Sequence, residues 1–281
     1  MKDEYKTRTD EKYSISNRLD RIYFNKPETL SYNEINFYEE NGYVLLKNFY
    51  DENIMKKIKY ECDEVFNGNR DYYINIEPKI NKVRSALKIH DKPEFKKLLS
   101  IDLMNLSKSI LGSETYIHQS RINYKYGNKA NGWNWHSDFE TWHSKDGMPK
   151  MRCFSAMICV DDNTVDNGCL NVIPKSHKKF ISCPKVGNLK PEDEFSEQKE
   201  GVPNKRILSF LIKDLNSKII PIKCNSGDLI LFDCNLLHYS DKNITNKKRT
   251  NIYFVFNSVN NKLRNPYNGC NHRPEEMGSL I

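Results

Sequence analysis

His136 and Asp138 stand two apart in the segment WNWHSDFETWHSKDGMP, residues 133–149. In an extended chain, residues two apart share a face, so an imidazole nitrogen and a carboxylate oxygen could bind one ion together. A third donor must come from elsewhere. His238, in FDCNLLHYS, is expected at the end of the apolar strand GDLILFDC, where the rim of a β-barrel would be. Two histidines and one carboxylate on one face of an ion form the donor set of non-haem Fe(II) oxygenases, with positions left open for a co-substrate and O2. Eleven residues beyond His238, Arg249 opens another β-rich run. Its planar guanidinium could clamp a carboxylate through two hydrogen bonds. His143 and His177 compete as ligands, but His143 lies off the His136/Asp138 strand face and His177 belongs to a PKSHK turn. His90, His118 and His272 read as structural or surface histidines. A structural zinc is the weaker reading, because such sites are closed and no cysteine pair is nearby.

These residues need a rigid frame, and the second half of the chain has the pattern for one. Short β-like runs follow Thr115: TYIHQSRINYKY, MRCFSAMICVDD, GCLNVIP, KIIPIKC, GDLILFDC and TNIYFVFNSV. Turn signals punctuate them, as expected of a β-sandwich or jelly roll. The first half reads as helical. Ser31 opens a pattern with Ile35 and Tyr38 on one face and Gly42 as its stop; YVLLKNF at 43–49 is β-rich. Asp51 caps a second pattern through Ile54, Ile58, Cys62 and Val65, and a third runs from Asp102 to Leu111, ended by Gly112. The expectation is an α+β chain of one domain, 1–281: a loosely ordered arm over 1–30, a mainly helical flank over 31–112, and a jelly-roll core over 113–281. Residues 185–206, rich in Lys, Glu, Pro and Asn, read as a long insertion of the kind that forms lids.

Composition narrows the partners. Of 281 residues, 38% are hydrophobic, enough for a packed core, and Lys+Arg exceed Asp+Glu by 44 − 37 = 7. That charge is spread out, with no basic block that would argue for nucleic acid. No apolar run approaches the ~20 residues of a membrane span, and MKDEYKTRTDEKY lacks the apolar stretch of a signal peptide. Eight cysteines form no CxxC pair and read as buried free thiols of a reducing, cytoplasmic compartment. The expected partner is a small molecule, with no membrane or nucleic acid; a homodimer is left open.

The HxD pair, NGCLNVIPKSHK and the distal His followed by Arg together resemble the phytanoyl-CoA dioxygenase superfamily of Fe(II)/2-oxoglutarate oxygenases, whose core is a cupin-like double-stranded β-helix. Within it, WHSDFETWHSKDGMP is similar to the signature stretch of ectoine hydroxylases, as are YIHQSRIN (116–123), DKNITNKKRTNIYFVFNSV (241–259), SNRLDRIYF, FYEENGYVLLKNF and HRPEEMG. The resemblance implies iron at His136, Asp138 and His238, and 2-oxoglutarate held by Arg249 with Asn123, Ser155 and Ser240. It implies substrate contacts from Gln119 and Trp142. Where ectoine hydroxylases carry two pocket phenylalanines, this chain has Leu87 in VRSAL and Tyr253 after the clamp arginine, a change of pocket shape and polarity.

The expected activity is 2-oxoglutarate-dependent oxidation of an unactivated C–H in a small, zwitterionic, amino-acid-like substrate, with ectoine to 5-hydroxyectoine as the named candidate. Asp138 supplies the carboxylate that halogenating relatives lack, which favours hydroxylation. The alternatives are a relative acting on another free or modified amino acid, by hydroxylation, ring closure or desaturation, and a non-catalytic 2-oxoglutarate- or metal-binding module. Leu87 and Tyr253 are the residues on which the substrate depends.

Overall fold

The computed structural model describes residues 3–9, 12–22, 25, 29–77, 80–128, 132–187 and 198–267. Asn131, Cys270, His272, the HRPEEMG segment and much of the expected insertion lie outside these residues. The helices begin and end where their caps dictate. In α1 (Tyr32–Asn41) the Ser31 hydroxyl and the Glu34 carboxylate satisfy each other's backbone N–H groups, and Gly42 closes the helix at φ 79°. Asp51 accepts from the N–H groups of Asn53 and Ile54 to start α2 (Glu52–Phe66), and Ser100 starts α4 (Ile101–Leu111), which Gly112 ends. A short helix, α3, spans Pro93–Lys96.

Thirteen strands are described. A seven-stranded antiparallel sheet contains β2 (Tyr43–Leu46), β3 (Tyr73–Glu77), β4 (Lys82–Leu87), β5 (Thr115–Lys125), β7 (Cys153–Cys159), β11 (Leu229–Asp233) and β13 (Arg249–Ser258), in the order β2-β11-β7-β13-β5-β4-β3. A four-stranded sheet contains β6 (Trp133–His136), β8 (Leu170–Val172), β10 (Ile220–Ile222) and β12 (His238–Ser240), in the order β10-β8-β12-β6. The remaining pair is β1 (Ser14–Asn17) on β9 (Lys179–Ser182).

Strand alternation sorts the core into two layers. Leu229 and Leu231 of β11, with Ile158 of β7 and Ile252 of β13, face α1, α2 and α4 and pack with Ile58, Leu103 and Leu106. Ile230 and Phe232, with Met157, face the other way onto Leu170, Val172 and Ile222 of the small sheet. Each such fully buried aliphatic side chain is worth about 1.5–3 kcal/mol. The result is a jelly roll with helices on one outer face, the cupin-like α+β fold the sequence implies.

Three expectations change. Strands β3 and β4 come from the expected helical flank and, with the expected β2, extend the large sheet, where β2 pairs with β11 and β4 with β5. The first thirty residues are not a loose arm where they are described: β1 is hydrogen-bonded to β9, and Tyr5, Thr7 and Arg8 are buried. The jelly-roll half also holds two helices, α5 (Asp138–Asp146) and α6 (Lys205–Asp214). Among the described residues no helix is long and apolar enough to cross a membrane.

Candidate active site

His136 is the last residue of β6, and Asp138 is the first of α5. The two side chains therefore do not share a strand face, as spacing alone suggested. Ser137, extended at φ −109°, turns the chain from strand into helix and brings both groups to one point. The Phe139 N–H anchors this turn on the Cys234 carbonyl at 2.8 Å. His238 does not end the apolar strand β11. It starts β12, directly opposite His136 in the antiparallel β6–β12 pair.

The outcome is one donor cluster. His136 Nε2 lies 3.6 Å and His238 Nε2 3.9 Å from Asp138 Oδ1, and the three donor atoms all fall within 4.8 Å of one another. Each imidazole spends its other nitrogen on a backbone carbonyl: His136 Nδ1 on Asn134 at 2.7 Å and His238 Nδ1 on Leu236 at 3.0 Å. A carbonyl only accepts, so both rings carry a proton on Nδ1 and turn Nε2 towards the cluster, the orientation of metal-ligating histidines. Burial, then the neighbouring His238, lower the His136 pKa to about 3 against the pull of Asp138, so the ring is neutral. The buried Ser155 hydroxyl donates to Asp138 Oδ2 at 3.3 Å, which leaves Oδ1 turned towards the histidines. Two imidazoles and a carboxylate on one face suit Fe(II) with open positions.

The competing histidines have other duties. His143, on α5, bonds Asp3 at 2.9 Å and the Met148 carbonyl at 2.7 Å. His177 donates to the Glu39 carbonyl at 3.1 Å, and His118 is fully buried against Asp146 at 3.1 Å. His90 meets the Ser120 hydroxyl.

Of the residues the sequence singled out, all but Ser155 line one cavity around the cluster. Asn123, Ser240 and Arg249 form one end. Leu87, Gln119, Trp142 and Tyr253 form other walls, with Trp142 set edge-on to the His118 ring at 5.3 Å. Arg249 is buried; its Nη1 donates to Asn163 Oδ1 at 2.8 Å, and its Nε–H finds no partner. A buried guanidinium N–H without an acceptor asks for an anion.

Sequence reasoning missed the strongest companion of that arginine. Lys125 sits opposite Arg249 in the β5–β13 register, and its ammonium donates to the Ser240 hydroxyl at 2.7 Å and the Asp241 carbonyl at 2.5 Å. Burial foremost, then the charges of Arg249 and Arg84, lower its pKa to about 6. A buried guanidinium beside an amine that gains its proton more readily once an anion arrives favours a carboxylate in this dry corner. The available signal was period-two alternation: Lys125 shares a face with Asn123 and Arg121. Arg121 also lines the cavity, its guanidinium 5.3 Å from the centre of the Tyr253 ring.

Residues 38–251 match the phytanoyl-CoA dioxygenase family model. The chain belongs to the phytanoyl-CoA dioxygenase family. As a member, with this donor set, it is a non-haem iron dioxygenase that uses 2-oxoglutarate and O2. It is similar to the ectoine dioxygenase of Bordetella bronchiseptica, 36% identical over 99% of this chain and 92% of the relative, and to that of Halomonas elongata, 38% identical over 87% and 75%. Among solved structures it resembles EctD from S. alaskensis, at 32% identity over 99% of this chain and 95% of the other. The TM-score is 0.88 for the apo form and 0.87 for the form with 2-oxoglutarate and 5-hydroxyectoine. More distant dioxygenase folds, such as the carbocyclase SnoK at 20% identity and TM-score 0.63, share the architecture.

Proposed function

We propose that this dioxygenase hydroxylates ectoine to 5-hydroxyectoine, and that residues 1–281 act as one domain in doing so. The observation that supports the reading is near-full-length similarity to ectoine dioxygenases, joined to a cavity that sets Gln119 and the Trp142 ring beside the His136–Asp138–His238 cluster. In this reading the cluster holds Fe(II). Bound there with 2-oxoglutarate and O2, the iron supplies the oxidising power that converts a C–H to a C–OH and releases succinate and CO2.

The protein's part is to bind, orient and keep water out. Arg249, with its unpartnered Nε–H, takes the distal carboxylate of 2-oxoglutarate through a planar fork, while Lys125, Ser240 and Asn123 complete its seat. Ser155 acts through Asp138, fixing which oxygen faces the metal. Trp142 offers a flat face to the delocalised ectoine cation, an attraction of about 0.5–2 kcal/mol in a desolvated site, and Gln119 can pair with the substrate carboxylate. Leu87 and Tyr253 also line the pocket, flanking Arg121 on the strands either side of β5. A free small molecule fits such a site; in this reading the enzyme works in the cytoplasm.

Tyr253 beside Arg121 supports a second reading, a relative retuned to another amino-acid-like substrate, since a phenol and a guanidinium make that wall more polar than two phenyl rings would. Mass spectrometry of reactions with ectoine separates the two. One oxygen gained on ectoine, matched to succinate, carries the first; succinate at background with ectoine recovered unchanged removes it and leaves the second.

A further inference from the structure

Cys159 closes β7, and Cys224 follows β10 sixty-five residues later. Their Sγ atoms lie 2.7 Å apart, buried between the two sheets among Met157, Ile222 and Ile230. Both are free thiols, and nothing in the oxygenase reaction uses them. An S–S bond is ~2.04 Å long, so joining them requires the sulfurs to close by only about 0.7 Å.

The backbone around the pair is already tied. Gly227 N–H donates to the Cys159 carbonyl at 2.9 Å. Asn163 and Cys224 exchange N–H···O bonds of 2.7 and 3.2 Å, and the Asn163 side chain accepts from Arg249. The thiols thus sit directly behind the seat of the buried guanidinium, in a frame that a bond between them would not need to reshape. We propose that Cys159 and Cys224 are an oxidation site, where a small two-electron oxidant joins them into a reversible disulfide. The bond staples the end of β7 to the segment behind Arg249 and leaves the cavity intact.

The chemistry balances with an azo oxidant such as diamide. One thiol adds across its N=N bond, giving an S–N bond and an N–H. The second thiol then displaces nitrogen from that sulfur, forming S–S and releasing the hydrazine, which carries away both electrons and both protons. A dithiol reductant reverses the step by thiol–disulfide exchange. Contact with Cys224, and burial, push the Cys159 thiol well above its usual pKa, so oxidation waits on a small oxidant that can reach between the sheets.

The test exposes the full-length enzyme to diamide, alkylates the remaining thiols under denaturing conditions, and maps the unreduced digest by mass spectrometry. The expected result is a loss of two mass units and a cross-linked peptide pair carrying Cys159 and Cys224. Tm should rise by roughly 5–15 °C for a loop of this length, return on reduction, and vanish in Cys224→Ser. The concentration dependence on 2-oxoglutarate should stay within about twofold. Alkylation of both cysteines after diamide, a cross-link to a different cysteine, or an unchanged Tm with the bond in place would overturn the proposal. So would a large loss of 2-oxoglutarate affinity, since the staple would then reach the cavity.

Discussion

Arg8 and Glu140, 132 residues apart in the chain, form a buried two-point ion pair: Nε to Oε1 at 3.0 Å and Nη2 to Oε2 at 2.6 Å. Glu140 lies in the first turn of α5, the helix that begins with Asp138. Thr7 donates to the same carboxylate at 2.6 Å, Tyr5 packs edge-on against Phe139 at 5.2 Å, and Asp3 holds His143. The N-terminal arm is therefore the back wall of the helix that presents Asp138 to the His136–His238 cluster. Arg8 also reaches Glu200 at 2.7 Å, beside Gln198 at the cavity wall. Gly201, at φ 66°, allows that segment to lie against Glu140, where a Cβ would collide with Oε2.

Removing one partner of this pair leaves a buried charge. Arg8→Ala should cost about 3–5 kcal/mol in urea unfolding, whereas the apolar double replacement Arg8→Met with Glu140→Met should recover most of the loss. Burial would raise the Glu140 pKa, but the Arg8 charge overrides it and holds the group below the ordinary carboxylate value. A depressed folded-state pKa stabilises above the unfolded pKa, and that stability drains as pH falls through the folded value. The double variant should accordingly be less sensitive to acid below about pH 4.5 than the parent. Equal acid midpoints would remove this pair from the account.

His136→Ala and His238→Ala should each abolish succinate formation while leaving the far-ultraviolet circular dichroism unchanged, because both rings sit at the rim of the small sheet. Anaerobic addition of Fe(II) and 2-oxoglutarate should then give no charge-transfer absorption. Normal turnover by either variant takes that residue out of the metal site.

Arg249→Lys keeps the charge but loses the fork, and the apparent affinity for 2-oxoglutarate should fall by roughly ten- to a hundredfold, ~1.5–3 kcal/mol. An unshifted 2-oxoglutarate titration would assign the clamp elsewhere.

Lys125, with its pKa near 6 in the ligand-free protein, is largely neutral at pH 8. Bringing a carboxylate beside it raises that pKa, so binding takes up a proton. Affinity for 2-oxoglutarate should strengthen as pH falls towards 6, by up to about tenfold per unit, and flatten below. Calorimetry at pH 8 in two buffers of different ionisation enthalpy measures the uptake directly. Lys125→Met should abolish it; a proton count near zero in the parent would refute the assignment.

Trp142→Ala should separate the two half-reactions. Consumption of 2-oxoglutarate should persist near its uncoupled rate, while substrate hydroxylation falls at least about tenfold with the loss of the ring face. Tyr253→Phe keeps the ring and should change ectoine turnover by less than about threefold. A rise well beyond that, strongest together with Leu87→Phe, would mark a pocket retuned away from ectoine.

Much of this molecule is written in local pattern. Helix ends at Ser31, Asp51 and Gly112 follow from side chains that cap backbone groups a few residues away, and strand runs follow from alternation, so both are legible without knowing the fold. Donor chemistry is legible too: imidazole, carboxylate and guanidinium keep their coordination preferences in any context, which is why His136, Asp138, His238 and Arg249 stand out. What the tertiary structure decided is everything that depends on distant burial. The turn at Ser137 that starts a helix at Asp138 is held through Phe139 by Cys234, 95 residues beyond it, and its back face is covered by an arm whose polar sequence reads as loose. Lys125 looks like an ordinary strand lysine until β13 sets Arg249 opposite it. Cys159 and Cys224 look like two unrelated apolar thiols until the sheets stack. Charge, contact and pKa depend on neighbours brought together only by packing, and a linear sequence lists residues without their neighbours.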